Sequence, residues 1–172
     1  MPGKEDHTMS QETPHLRRSA LYVPASNDRA LAKLPTLACD AVIIDLEDAV
    51  APSEKRAARE KLAAIFASRP AGVHEMTVRI NALSSQWGSD DLTAALACKP
   101  NGILLPKVET PRDVLEAGDL MDELDAPDGV RLWAMIETPR ALLNIGAIAE
   151  LGRDPASRLS CFVIGTNDIA KE

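Results

Sequence analysis

The sequence predicts a parallel α/β fold, a TIM-type (β/α) barrel that is apparently truncated after its sixth strand. Six short apolar runs, each bounded by turn residues, recur about every thirty residues, the length of one strand and helix unit. Segments with helical patterning separate these runs. Continuous apolar runs of this length are typical of parallel strands that are buried on both faces. The carboxyl ends of such strands face one common crevice, so residues at the ends of the runs are expected to converge.

The elements follow from local signals. The first strand, Ser19–Ala25, ends at a proline and a turn cluster that caps a helix over Asp28–Leu37. The second strand, Ala41–Asp45, leads into a run of strong helix formers with Ser53 as its N-cap and a charged face expected to be solvated. The remaining strands are predicted in MTVRIN, GILLPKV, RLWAMIE and CFVIG. The remaining helices are predicted near Asp90–Cys98, from Thr110-Pro111, and from Thr138-Pro139 to about Leu151, with threonine as cap and proline in the first turn.

Chain length favours an incomplete barrel. A complete eight-stranded barrel typically needs about 250 residues, whereas this sequence has 172 and stops where the helix after the sixth strand should begin. An open doubly wound sheet is the alternative. Such a sheet normally shows a glycine-rich phosphate loop when it binds nucleotides, but here the first loop is VPASNDR, and neither a Walker A motif nor GxGxxG occurs. We therefore expect a partial barrel over residues 17–172, preceded by a disordered tail over residues 1–16.

Composition limits the partners. The formal net charge is −7, with lysine and arginine interspersed among the acids, so neither nucleic acid nor a membrane is an expected partner. The three scattered cysteines indicate reduced, buried thiols and a cytoplasmic location, and the three dispersed histidines argue against histidine catalysis. Unpaired edges on the first and sixth strands favour association, and a homo-oligomer is expected. A small molecule is the expected ligand.

Charged residues follow the apolar runs, and they are Asp45, Glu47, Asp48, Arg79, Lys107, Glu137 and Asp168. A charge at the end of a buried strand loses hydration and needs an ionic partner, a metal or a ligand. Several such charges at one edge favour a binding or catalytic pocket over a purely structural salt-bridge network.

Two carboxylates, those of Glu137 and Asp168, stand at the ends of neighbouring predicted strands and are suited to Mg²⁺. The structural alternative is that Glu137 caps the next helix and Asp168 pairs with a basic residue. Arg79 offers a planar fork for a carboxylate or enolate oxygen, or pairs internally with the acids around Asp45. Lys107 either neutralises Glu137 or, with a depressed pKa, forms a Schiff base.

The sequence also resembles a known family. The segments RRSALYVPASNDR, DAVIIDLEDAVAPSEKRAAR, VRIN, GILLPKVET, MIETPRALLNI and FVIGTNDIA resemble the citrate lyase beta subunit group of the HpcH/HpaI aldolase superfamily. The resemblance implies a barrel enzyme that cleaves or forms a carbon–carbon bond in a hydroxy-acid or its CoA thioester, such as citryl-CoA or malyl-CoA, with Mg²⁺ as cofactor.

The resemblance also implies roles for single residues. It makes Glu137 and Asp168 the metal carboxylates, with Glu137 also near the substrate, and Arg79 the substrate-binding and catalytic arginine. It makes Glu47 a catalytic acid near the water shell of the metal, and Arg18 a contact for CoA or substrate. The general acid/base of the family is a C-terminal carboxylate contributed across a subunit interface, and the sequence ends before that region.

Three functions stay open. The first is a lyase of the citryl-CoA or malyl-CoA type. The second is a truncated, non-catalytic chain or assembly component that binds metal and small oxo-acids but turns over CoA thioesters slowly or not at all. The third is a metal-dependent aldolase that acts on free 2-oxo-acids without CoA.

Overall fold

The computed structural model describes residues 17–69, 73 and 75–171; the predicted tail and His74 lie outside them. In this part of the chain six strands form one sheet in the order β1-β2-β3-β4-β5-β6, and each neighbouring pair is parallel. The strands are β1 (Ala20–Pro24), β2 (Ala41–Asp45), β3 (Glu75–Arg79), β4 (Gly102–Leu105), β5 (Arg131–Ile136) and β6 (Leu159–Ile164). Strands that pair in chain order are the arrangement of successive barrel units, which confirms the predicted fold class.

Helices connect the strands. They are α1 (Asp28–Leu31), α2 (Lys55–Glu60), α3 (Leu62–Ala67), α4 (Gly88–Ala97), α5 (Pro111–Glu123), α6 (Pro139–Glu150) and α7 (Thr166–Ile169). The predicted cap at Thr138 is confirmed, because its side chain accepts a hydrogen bond from the Ala141 amide. The helix predicted to open at Thr110-Pro111 does so, and Thr110 forms a capping box with Asp113. Among the described residues, none of the helices has the length and apolar character needed to cross a membrane.

Two helix predictions were wrong. The helix predicted over Asp28–Leu37 ends at Leu31, and a separate 3-10 turn, Leu34–Thr36, contains Pro35, which lacks the amide that a continuing helix needs. Ser53 is not an N-cap. It lies inside a 3-10 turn, Pro52–Glu54, because Pro52 fixes the start of a helical turn there, and α2 begins only at Lys55.

The sheet is apolar on both faces. The outer face packs against the helices through residues such as Ile44, Val78 and Ile136, all fully buried. The inner face carries a second apolar cluster, which consists of Ala41, Ile43, Leu104, Trp133 and Met135, with Cys161 and Val163 packed against it. Burial on both sides explains why the central strands, β2 to β5, appear in the sequence as continuous apolar runs rather than as alternating ones.

A charged pair closes the amino-terminal end of the inner face. Arg17 Nη2 donates to Glu75 Oε1 at 2.8 Å, and the Arg17 guanidinium lies 4.8 Å from the centre of the Trp133 ring. Gly102 makes room for that ring, since a Cβ there would lie 3.1 Å from Trp133 Nε1. Arg17 and Glu75 are therefore paired with each other at this end, whereas Asp45, Arg79 and Glu137 lie at the opposite, carboxyl end of the strands.

Candidate active site

Asp45 and Arg79 are the central ion pair of the carboxyl edge. They are register partners at the ends of β2 and β3, and both are buried. Arg79 Nε donates to Asp45 Oδ1 at 2.7 Å and Arg79 Nη2 donates to Asp45 Oδ2 at 2.6 Å, a bidentate arrangement. The internal pairing that the sequence left open is therefore present. It uses two of the five N–H groups of the guanidinium.

The rest of the Arg79 guanidinium faces a mixed environment. Nη1 lies 3.0 Å from Glu47 Oε2 and 3.7 Å from the sulfur of Met135, and the guanidinium lies 5.0 Å from the centre of the Tyr22 ring. Burial alone would lower the pKa of Arg79, but the hydrogen bonds and charge of Asp45, together with Glu47, raise it above its usual range. Arg79 therefore keeps its positive charge. We call Tyr22, Arg79 and Met135 the pocket floor.

Glu47 is a buried carboxyl with an unusual proton affinity. Burial raises its pKa to about 7, against the opposing charge of Arg79 and with a further increase from neighbouring Asp48. A carboxyl in this range gives and takes a proton readily near neutral pH. Asp45 also shapes this loop, because its two oxygens accept hydrogen bonds from the amides of Glu47 and Ala49, at 2.8 and 3.2 Å.

Lys55 anchors the loop between β2 and α2 through its buried ammonium group. Its Nζ donates to the carbonyl oxygens of Leu46 and Glu47, at 3.1 and 3.0 Å, and to Asn81 Oδ1 at 2.6 Å. The side chain is buried, which corrects the prediction that the charged face of this helical segment is solvated. Three acceptors from two different loops surround the ammonium group and replace its water shell.

A second buried acid extends this support. Asp91, at the start of α4, is fully buried and accepts a hydrogen bond from Asn81 Nδ2 at 2.6 Å. Arg59 Nε donates to the other carboxylate oxygen of Asp91 at 2.8 Å. The Arg59 guanidinium, like the Lys55 ammonium, is therefore bound by a protein acceptor rather than only by solvent. The lysine and arginine of the predicted helical segment thus hold the ends of β2 and β3 together. Sequence reasoning missed this function, although both residues lie in the motif that carried the family resemblance.

Glu137 follows β5 and is 1% exposed. Its Oε1 accepts a hydrogen bond from the Lys107 amide at 2.7 Å, whereas its Oε2 is buried without a hydrogen-bond partner. Burial raises the pKa of Glu137, and the Lys107 amide opposes that shift. Asp168 adds to the rise through its charge and through the side-chain hydrogen bond that a protonated Glu137 makes to it, so Oε2 lacks a partner only while both carboxyls are ionised. Gly165 lies against this side chain, since a Cβ at residue 165 would come within 2.6 Å of the Glu137 Cβ.

Asp168 belongs to the short helix after β6. Lys171 Nζ lies 3.2 Å from its Oδ1, and this partner, more than any other group, lowers the pKa of Asp168. Asp168 and Glu137 are close enough for each to shift the pKa of the other. The predicted helix-capping alternative for Glu137 is wrong because Thr138 is the cap, but the predicted pairing of Asp168 with a basic residue is present.

This pair fits Mg²⁺. An orphaned, buried carboxylate oxygen beside a second carboxylate supplies hard oxygen donors, and Mg²⁺ commonly uses one or two carboxylates and completes its shell with water and substrate. Within residues 17–69, 73 and 75–171, no group of three or more His, Cys, Asp or Glu side chains is placed to hold a metal. Two carboxylates alone would leave a bound cation with an open shell for water and substrate, unlike the closed shell of a structural metal site.

Other predicted site residues do not join the cluster. Arg18 precedes β1 at the amino-terminal end of the sheet, where its Nη2 donates to Asp40 Oδ1 at 2.8 Å and lowers the pKa of that carboxyl. The Lys107 side chain is exposed, and it is the backbone amide of this residue that contacts Glu137. Of the three cysteines, which are all free, only Cys39 is buried, so the expectation of buried thiols was wrong for Cys98 and Cys161.

Concave surfaces occur elsewhere as well. Two cavities of about 370 and 390 Å³ lie near the amino-terminal ends of β5 and β6, and Arg131 lines both. A smaller cavity of about 130 Å³ lies at the carboxyl edge, between the loops that follow β3 and β4, and Lys107 lines it. The two larger cavities contain none of the predicted site residues, so the charges at the carboxyl edge, rather than cavity size, define the candidate site.

A parallel βα sheet with an arginine and two acids at its carboxyl edge has the arrangement in which barrel enzymes place their catalytic residues. Residues 18–172 match the family model described as HpcH/HpaI aldolase/citrate lyase, and the chain belongs to this family. This finding confirms the resemblance seen in the sequence.

Known relatives refine the comparison. The chain is 45% identical over 158 residues to a (3S)-malyl-CoA thioesterase of Cereibacter sphaeroides, which covers 92% of this chain and 52% of the relative. It is 32% identical to the mitochondrial citramalyl-CoA lyase of Rattus norvegicus, covering 88% of this chain and 48% of the relative. The chain thus spans about half the length of the curated relatives it matches.

Solved structures agree with this assignment. The citrate lyase beta subunit of Mycobacterium tuberculosis, complexed with oxaloacetate and magnesium, matches with a TM-score of 0.67 and 32% identity, over 88% of this chain and 59% of that chain. Magnesium and a small oxo-acid are therefore bound by a structural neighbour. Homo-oligomeric assembly, a cytoplasmic location and the disordered tail stay predictions.

Proposed function

We propose that this chain carries the metal-binding carboxylates and the substrate-binding arginine of a Mg²⁺-dependent carbon–carbon lyase. The substrate of this lyase is a hydroxy-acid CoA thioester of the malyl-CoA or citryl-CoA type. The observation that supports it most is Glu137 Oε2, a buried carboxylate oxygen without a partner at the carboxyl edge of the sheet. Such an atom is costly unless a cation or donor reaches it. Asp168 beside it and Arg79 on the same edge supply the remaining charges of a site for an acidic substrate.

Each residue has a distinct task in this reaction. Glu137 and Asp168 would hold Mg²⁺, which when bound supplies positive charge that stabilises oxygen charge developing in the transition state. Arg79, fixed by Asp45, presents its positive charge and the N–H groups that Asp45, Glu47 and Met135 leave free to a carboxylate or carbonyl oxygen of the substrate. Because Asp45 fixes the plane of the guanidinium before the substrate arrives, little ordering is left to occur during binding.

The bond changes require proton transfer as well as charge stabilisation. The bond between the hydroxyl-bearing carbon and the carbon next to the thioester carbonyl breaks, and its electron pair stays on the thioester fragment as an enolate. The hydroxyl proton leaves, and a proton added to the enolate carbon completes the shorter acyl-CoA. Glu47, with a pKa near 7 and Arg79 3.0 Å away, is suited to hold or release a proton at this edge.

A thioesterase is the second candidate, because the relative with 45% identity is a (3S)-malyl-CoA thioesterase. In that reaction water adds to the thioester carbonyl, and the carbon–sulfur bond breaks to release the CoA thiol. The same cation and the same arginine would stabilise the oxygen charge, so the site geometry does not distinguish the two reactions. The reaction products distinguish them.

The test incubates the purified 172-residue chain with Mg²⁺ and (3S)-malyl-CoA, and separately with a free hydroxy-acid. A shorter acyl-CoA together with an oxo-acid supports the lyase, free CoA thiol supports the thioesterase, and cleavage of the free acid supports the aldolase that does not use CoA. Binding of Mn²⁺ and oxo-acid without any turnover supports the non-catalytic chain.

A matched pair of variants identifies the metal site. Glu137→Gln should lose Mn²⁺ affinity, whereas Glu123→Gln, at an exposed position of α5, should keep it. Equal Mn²⁺ affinity in wild type and Glu137→Gln would refute the assignment of Glu137 as a metal ligand.

A further inference from the structure

One residue of the carboxyl edge has an unusual backbone. Among the described residues, four that are not glycine have a positive φ: Lys99, Lys107, Asp125 and Arg158. Lys99 and Asp125 each follow the C-cap of a helix, and Arg158 is itself the C-cap of a 3-10 turn, which are usual places for this conformation. Lys107, with a φ of 52°, follows strand β4 instead. The end of a helix therefore does not explain its conformation.

The left-handed conformation of Lys107 directs its amide. Lys107 N donates to Glu137 Oε1 at 2.7 Å, and the next amide, that of Val108, donates to the Met135 carbonyl oxygen at 3.3 Å. The turn thus seats the end of β4 against the end of β5. The Lys107 side chain is exposed, and its charge contributes to lowering the pKa of Asp168. The contact that this conformation produces comes from the main chain.

This contact places the two carboxylate oxygens of Glu137 in different environments. Oε1 is occupied by the Lys107 amide, and Oε2 is left buried without a partner. On another side, the Cα of Gly165 lies so close that a Cβ there would be 3.1 Å from Oε2. A carboxylate that is held at one oxygen and packed against a glycine has little freedom to rotate.

We infer that Lys107 is a positioning residue that acts through its main-chain N–H: it fixes Oε1 of Glu137 and so presents Oε2 to the cation. The inference rests on the proposed metal site. Hydrogen bonds to ligating carboxylates typically contribute about ten- to a hundredfold to metal affinity. The ammonium group of Lys107 has no part in this contact, so the inference is separate from the neutralising and Schiff-base roles that the sequence left open.

The experiment distinguishes the effect of the Lys107 main-chain N–H from the effect of the Lys107 side chain. Mn²⁺ affinity is measured by electron paramagnetic resonance for wild type, for Lys107→Gly, and for a variant in which an α-hydroxy acid replaces Lys107 so that an ester replaces the amide. Lys107→Gly keeps the N–H and adopts a positive φ without strain, so its affinity should equal or exceed that of wild type. The ester variant lacks only the N–H and should bind Mn²⁺ about ten- to a hundredfold more weakly.

A second measurement needs no metal. Hydrogen exchange of the Lys107 amide should be slow in wild type and fast in Glu137→Ala, while Glu116→Ala, at an exposed position of α5, should leave it slow. Loss of affinity in Lys107→Gly, full affinity in the ester variant, or an unchanged exchange rate in Glu137→Ala would each overturn the inference. If wild type itself binds no Mn²⁺, the metal proposal fails, and the exchange rates still decide whether the amide holds Glu137.

Discussion

Replacing Lys55 with methionine tests the buried anchor beneath the β2–α2 loop. Methionine keeps an unbranched apolar stem but cannot donate to the three oxygens that surround the ammonium group. The Leu46 carbonyl keeps the Asn81 Nδ2 donor at 2.9 Å, and the Glu47 carbonyl keeps the Val50 amide at 3.0 Å. Asn81 Oδ1 is the acceptor left without a donor.

The expected loss of stability follows from the hydrogen bonds that the substitution removes. One orphaned buried acceptor costs about 1–3 kcal/mol, and two lost bonds to carbonyls that keep another donor cost about 1 kcal/mol each. Methionine avoids the desolvation of a buried ammonium group, which offsets part of the loss. We expect the free energy of unfolding to fall by about 2–4 kcal/mol, which for a chain of this size corresponds to about 5–15 °C in Tm.

Urea denaturation measures this change. Lys61→Met is the matched control, because its side chain is 38% exposed and its partner Asp28 is 81% exposed, so its loss should change stability by less than about 0.5 kcal/mol. A double-mutant cycle with Asn81→Ala should give a coupling energy above about 1 kcal/mol. Equal stability of Lys55→Met and Lys61→Met, or additive effects in the cycle, would refute the anchoring function of Lys55.

Three further predictions concern the site itself. Arg79→Lys should reduce oxo-acid affinity and kcat/KM by about tenfold or more, since lysine lacks the planar fork, and an unchanged affinity by calorimetry would remove Arg79 from substrate binding. Gly165→Ala should weaken Mn²⁺ binding by about ten- to a hundredfold, because the added Cβ would displace Glu137. Gly146→Ala is the control and should not change Mn²⁺ binding, since no atom lies within 4 Å of its added Cβ; equal Mn²⁺ affinities of the two variants would contradict the packing of Gly165 against Glu137. Glu47 holds its proton more tightly in the folded state, so its contribution to stability is present below its ordinary pKa of 4.5 and is lost as pH rises to about 7. Glu47→Gln should flatten this slope in urea denaturation across that window, and a slope that persists in the variant would contradict the assignment.

The sheet was predictable because its information is local. The apolar run Ala41–Asp45 has the bounds of β2, and the Thr138 cap acts as its position predicts. The direct pairing of Asp45 with Arg79 was one of two alternatives that the sequence left open, and local patterns could not decide between them. It depends on the register between β2 and β3, which is set by packing of the whole sheet rather than by either strand alone.

Other features of the site depend on tertiary contacts that local patterns do not reveal. Lys55 lies among strong helix formers and charges, which predict a solvated face, yet its acceptors come from the ends of β2 and β3. Gly165 and Lys107 belong to recognised motifs, but the reason for each is the Glu137 side chain, which reaches them from a different unit of the sheet. A sequence pattern shows which residues a motif contains and does not show which partner each one serves.

The pocket floor limits how deeply a ligand can enter. Met135, in the floor, and Glu137 lie close together: a Cβ at Gly165 would be 3.1 Å from both Met135 Cε and Glu137 Oε2, so these two atoms are no more than about 6 Å apart. Atoms in contact are already about 4 Å apart, so no ligand chain fits between the floor and this carboxylate. A ligand bound at this edge would therefore lie over Arg79 and the carboxylates, and anything long attached to it would extend outward into the loops that follow the strands.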